Sequence, residues 1–322
     1  MEYAHVNYMR KVTGYMNNNG ISRRPALVGL LFAAGMLLLL LPLRIWQQLR
    51  LVEDLTGFWI EKDFTVALLY VGLALLAALP CAAALSLRGS ATLELTRSRR
   101  TLEGVTAALA AIALAWDAVM AFGYAARLFS GQGGAYFEVL EGQSSSPMSY
   151  YIRSGAMACL LEGVFALLST LFFLRLAAID VRPQKNAYLG RAMALAPFAW
   201  SVCRILRRFA RTIAYLKVSD LFLTLAMLAA LMIFLLAFAQ NVAGRTSGYK
   251  PAALLAAGIP AAVLALLCFV PRVIAYGLPG GMSSGTIPQD ALIEWCDPAM
   301  AAFVLAFVGG RVKAGEETKH EL

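Results

Sequence analysis

The sequence predicts an all-α protein, a polytopic membrane helix bundle with six transmembrane helices plus a cytoplasmic amphipathic surface helix. Three observations predict it. The 322 residues are 60% hydrophobic and only 15% charged, against about 25% charged in ordinary soluble domains. The missing charge is concentrated in blocks of roughly 20 residues, the length an α-helix needs to cross a hydrocarbon core of about 30 Å. The basic residues between those blocks alternate sides, as orientation by the positive-inside bias requires. Lipid cannot hydrogen-bond an exposed backbone, so blocks of this length cross as helices.

Residues 1–25 form a cytoplasmic N-terminal segment, long and polar, with Asn17, Asn18 and Asn19 ahead of Gly20. A secretory signal would start its apolar core sooner and end at small residues, so no cleavable leader is expected. Residues 26–270 hold the six spans. The blocks 26–43, 64–87, 221–239 and 252–270 contain no charged residue; 104–124 and 155–174 contain one acid each. Pro80 and Pro260 remove helical hydrogen bonds and are expected to kink spans two and six. A three-plus-three inverted repeat is not supported, because span five carries no counterpart of Pro80.

Orientation follows from the 28 Lys and Arg residues. The segment before span one and the connections after spans two, four and six hold 21 of them. This places both termini in the cytoplasm and accounts for the net charge of +9 without a nucleic-acid partner. Residues 271–322 are then a cytoplasmic C-terminal segment. Within it, 291–308 has an apolar part of only 11 residues, about 16 Å as a helix, too short to span lipid. It is expected to be an interfacial or docking helix, with a seventh span as the alternative. The final Lys319-His320-Glu321-Leu322 is similar to an endoplasmic-reticulum retrieval signal, but His replaces the acid and the topology puts it away from the receptor.

The most patterned segment is 197–216. Arg204, Arg207, Arg208 and Arg211 recur at spacings of three and four and cluster on one stripe, with Phe198, Val202, Ile205, Phe209 and Ile213 opposite. Such a helix is expected in the membrane surface, its arginines directed at anionic lipid headgroups or at a membrane partner protein. The plainer reading is that the arginines only fix orientation before span five. Ser219 and Asp220 suit the N-terminus of that span.

Two acids lie inside spans, Asp117 in the third and Glu162 in the fourth. Each is seven residues from the outer end, so both sit about 10 Å below the outer edge. Carboxylates at one depth on antiparallel helices can share a proton or bind a cation, and these two are the candidate proton or cation site. The alternative is that each finds its own hydrogen-bond donor and serves packing alone.

Several chemistries are discounted. The only histidines are His5 and His320, which removes zinc-protease motifs and a Ser–His dyad. No Walker A sequence occurs. The five cysteines show no C-x-x-C pair, and three of them lie in predicted spans, so packing explains them better than disulfides. No metal, cofactor or enzymatic activity is expected. The outer loop 128–153, rich in Gly and Ser, reads as a flexible connector.

Val52-Glu53-Asp54-Leu55-Thr56-Gly57-Phe58-Trp59 and Pro197-Phe198-Ala199-Trp200 resemble segments of uncharacterised multi-spanning proteins of anaerobic Firmicutes. The resemblance covers the general layout and implies a topology and a bacterial inner membrane; it implies no activity. Two function classes remain: a small-solute or ion carrier using Asp117 and Glu162, and a non-catalytic membrane scaffold or regulatory subunit using the arginine stripe.

Overall fold

The computed structural model describes residues 24–52, 59–60, 63–86, 97–130, 146–181, 192–210, 218–242, 250–277 and 293–313. Among these, nine α-helices occur and no strand beyond one isolated bridge between Val52 and Trp59. They are α1 (Arg24–Arg50), α2 (Phe64–Ser86), α3 (Arg97–Phe129), α4 (Pro147–Arg153), α5 (Ala156–Val181), α6 (Ala196–Ala210), α7 (Val218–Val242), α8 (Lys250–Arg272) and α9 (Cys296–Lys313). Six of them, α1, α2, α3, α5, α7 and α8, are long and apolar enough to cross a membrane. The chain is therefore an integral, multi-pass, all-α membrane protein. Its outward faces agree: Leu38, Val71, Ile112, Leu171 and Ile233 are large, apolar and exposed, as lipid permits and water does not.

Local chemistry sets the element ends. Ser146 caps α4 by accepting from the Ser149 backbone N–H at 3.2 Å, with Pro147 at the first helical position. Gly155, at φ 78°, makes the left-handed turn that reverses the chain into α5. Pro80 and Pro260 lie inside α2 and α8 as the sequence predicts, and Pro42 and Pro271 lie inside α1 and α8.

Neighbouring helices alternate in direction. Gln47, late in α1, donates to the Thr65 carbonyl early in α2 at 2.8 Å, and Leu40 covers Gly72. Phe122 of α3 packs on Gly163 of α5. Arg175 and Glu162 of α5 meet Met193 and Arg207 at opposite ends of the following segment. Phe234 and Thr224 of α7 meet Gly258 and Arg272 of α8. Val304 and Trp295 meet Gly258 and Phe269. Each pairing fixed by two contacts runs antiparallel.

Two elements differ from the sequence expectation in position. α6 does not lie on a surface; it runs antiparallel to α5 inside the bundle, with Trp200, Ser201 and Arg204 fully buried. The physical reason is that its arginines find carboxylates in the interior, so the charged stripe turns inward while Leu206 faces out. α9, within the segment expected to be interfacial, is likewise a core helix. Phe303 stacks edge-on against Phe173 at 5.0 Å and Phe238 at 5.5 Å, and Phe307 meets Phe238 at 5.1 Å. At its far end Gly309 lies against Leu30 of α1. At 18 residues it is about 27 Å long. A helix wrapped by α1, α3, α7 and α8 is shielded from lipid by its neighbours, so the short apolar stretch suffices.

Candidate functional site: a buried layer of arginines and carboxylates

Charge in this bundle is gathered near one end. α6 supplies three arginines because its 204, 207 and 208 positions share one helical face. α9 begins with acids: Glu294 just before it and Asp297 in its first turn, where a negative charge also favours the helix dipole. The acids are three residues apart and both reach Arg204, which is 0% exposed; the bond to Asp297 is 2.9 Å, and Glu294 is also paired with it. Glu294 further accepts from Arg208 at 2.6 Å and from Arg207 at 3.4 Å. One carboxylate thus sits among three guanidiniums. Burial alone would raise its pKa, but Arg204, Arg208 and Arg207 outweigh burial and hold the group well below the usual carboxylate range.

The two predicted acids join this layer through separate partners. Asp117 is half-buried and accepts from the Trp200 indole N–H at 2.8 Å. Glu162 is completely buried, with Arg207 Nε 2.7 Å from its Oε2. That contact is a close ion pair lying off the hydrogen-bond line, since neither atom has an aligned partner. Trp200 links the two halves, because the Arg204 guanidinium stacks over its ring at 5.2 Å. Arg204, Arg207 and Arg208 are thus engaged with carboxylates of α5 and of the start of α9. Arg211 lies outside the described residues.

A second charged group completes the layer. Arg44 of α1, 1% exposed, is paired with Asp220 of α7 and donates to Ser219 Oγ at 3.4 Å, with Trp59 beneath its guanidinium at 5.5 Å. Asp220 therefore serves an interhelical pair more than the cap suggested by its position in the first turn of α7. Arg272, at the end of α8, donates to the Thr224 hydroxyl at 2.6 Å, and that hydroxyl donates to the Asp220 carbonyl at 2.8 Å.

Arg44, Arg272, Glu294 and Asp297 carry no role in the sequence reading, and Asp220 only that of a helix cap. One signal for Glu294 and Asp297 was present, since their spacing of three matches the Arg204–Arg207 spacing. Arg44 and Arg272 had no such marker beyond being basic residues at the end of an apolar block. Among the described residues no cluster of His, Cys, Asp and Glu is arranged to hold a metal, and all five cysteines are free thiols. Comparison with protein families, curated proteins and solved structures finds no match to this chain.

Proposed function

We propose that the protein is a carrier for a small anionic solute in a bacterial cytoplasmic membrane, with the arginine layer as its solute-contacting region. One observation carries the reading: Arg44, Arg204, Arg207, Arg208 and Arg272 are withdrawn into the interior of a membrane bundle. Guanidinium stays protonated under all ordinary conditions. Charge held at membrane depth is expensive and marks ion and solute pathways. The proton or cation site at Asp117 and Glu162 has less support, because each acid already has its own donor or counter-ion.

The same layer bears on topology. On this reading α6 and α9 are crossings in addition to the six apolar ones, and the start of α1 and the end of α9 lie on one side. Seventeen of the 28 basic residues then fall on the side of the termini. Five of the other eleven are the arginines of the layer. This keeps the termini cytoplasmic and puts the layer in the non-cytoplasmic half. Labelling with an impermeant maleimide in a cysteine-free background tests it. Ala187→Cys and Ala214→Cys should react from opposite sides; reaction from one side returns α6 to a non-crossing helix.

Purified protein in liposomes should take up chloride, formate or phosphate above the protein-free rate, and Arg204→Gln should abolish the difference. A rate equal to protein-free liposomes for all three anions refutes the carrier. The second reading, a non-catalytic scaffold or regulatory subunit, is favoured by the mutual neutralisation of Arg204, Arg207 and Arg208 by Glu162, Glu294 and Asp297. In that case the layer only fastens α6 and α9 into the bundle.

A further inference from the structure

Four of the five arginines in the layer touch a carboxylate; Arg272 does not. Its side chain is 4% exposed, and its one bond is to the neutral hydroxyl of Thr224, itself fully buried. No carboxylate among the described residues lies within 4 Å of it. Its Nη1 is buried with no partner at all. A second guanidinium in the same region repeats the pattern, because Arg44 Nη1 is also buried and unpartnered while its Nη2 holds Asp220. Asp220 touches Arg44 but not Arg272, so Arg272 is the one guanidinium of the layer with no anionic group in contact.

A buried cation without a counter-ion is among the least tolerable arrangements in a low-dielectric interior. A protein ordinarily removes such a charge by deprotonation, by a carboxylate or by an apolar substitution. Guanidinium cannot take the first route, and this site has taken neither of the others. What remains is a counter-ion from solution. The backbone geometry adds an independent sign: Arg272 directly follows Pro271 and directly precedes a π-helical turn, Val273–Gly277. Such turns are rare and recur at functional sites.

We infer that Arg272, with the Thr224 hydroxyl beside it, is a binding site for a small monovalent anion, a halide or a short carboxylate. The anion accepts from Arg272 Nη1 and gives that guanidinium the contacting counter-ion it lacks. Short carboxylates match the guanidinium fork, and halides need only the single donor. The site deepens the carrier reading and rests on it for its physiological meaning, but binding can be measured without transport.

The test is thermal unfolding of the full chain in detergent. Chloride or formate is titrated against gluconate at constant ionic strength. Wild type should be stabilised saturably by chloride or formate and not by gluconate. Arg272→Gln should remove the dependence. Thr224→Val, which keeps the charge and the shape, should weaken half-saturation by about fivefold or more, as loss of a hydrogen-bonding neighbour of the charged donor implies. Should Arg272→Gln fail to fold, Thr224→Val carries the test alone. No anion-specific stabilisation in wild type, or an unchanged half-saturation in either variant, overturns the assignment. Binding without liposome flux leaves the site standing and removes the carrier; flux without this binding does the reverse.

Discussion

Replacing Glu294 by Gln tests whether the layer is held by charge. Gln preserves the volume and one acceptor oxygen, so the change is close to the removal of a single negative charge from among three guanidiniums. The loss is not threefold. Arg204 keeps Asp297 at 2.9 Å and Arg207 keeps Glu162 at 2.7 Å, while Arg208 loses its 2.6 Å bond to Glu294. Breaking one partner of a buried pair costs about 3–5 kcal/mol. In the unfolding equilibrium that is roughly two to three and a half orders of magnitude. Reversible unfolding by a denaturing detergent in mixed micelles, followed by tryptophan fluorescence, measures it. Combining Arg208→Gln with Glu294→Gln should recover part of the loss, because both members of the 2.6 Å pair leave together. A single variant within about 1 kcal/mol of wild type would refute the reasoning. So would a double variant equal to the sum of the singles.

Three further outcomes are expected. The stability difference between wild type and Glu294→Gln should be constant from pH 8 to 5. The folded carboxyl lies well below its ordinary 4.5, so its contribution is complete above that value and fades only as pH falls through the folded one; a difference that shrinks by pH 6 contradicts this. Trp200→Phe should cost about 1.5–3 kcal/mol through loss of the 2.8 Å bond to the Asp117 carboxylate, and the cost should fall sharply in an Asp117→Asn background. Gly163→Ala should cost about 1–3 kcal/mol, because a Cβ there meets the Phe122 ring at 2.8 Å; unchanged unfolding would show that the ring moves aside freely.

The six apolar spans were legible because length and absence of charge are sufficient signals, and their positions agree with the sequence blocks. The amphipathic character of α6 was equally legible, but its facing was not. A two-faced helix reads the same whether its charges meet water, phosphates or buried acids. What decides among these is the location of counter-charges, and Glu294 lies 90 residues away from Arg204. α9 was misplaced for a related reason. Length rules apply to helices that meet lipid, and a helix enclosed by four others is exempt from them. Asp117 and Glu162 were singled out because they are the acids inside apolar blocks; one is half-buried and the other buried. Their partners, Trp200 and Arg207, were hidden because they belong to the helix expected outside. The isolation of Arg272 depends on what is missing around it, which no sequence pattern states.

The inward stripe of α6 has a consequence for how the protein is made. An arginine at a helix centre costs about 2.5–3.5 kcal/mol on insertion scales; nearer the end of α6 the cost of Arg204, Arg207 and Arg208 is smaller, but together they oppose lateral release of α6 into lipid as a lone helix. Glu162 has already been synthesised when α6 emerges and can accompany Arg207. Glu294 and Asp297 have not; they appear about ninety residues later, with α9. On this account α6 should wait at the translocation channel or on the membrane surface between those moments, and should take its place when the acidic start of α9 arrives. A ribosome stalled before residue 294 should therefore expose Ala214 on the cytoplasmic side, and one stalled well beyond 313 should not.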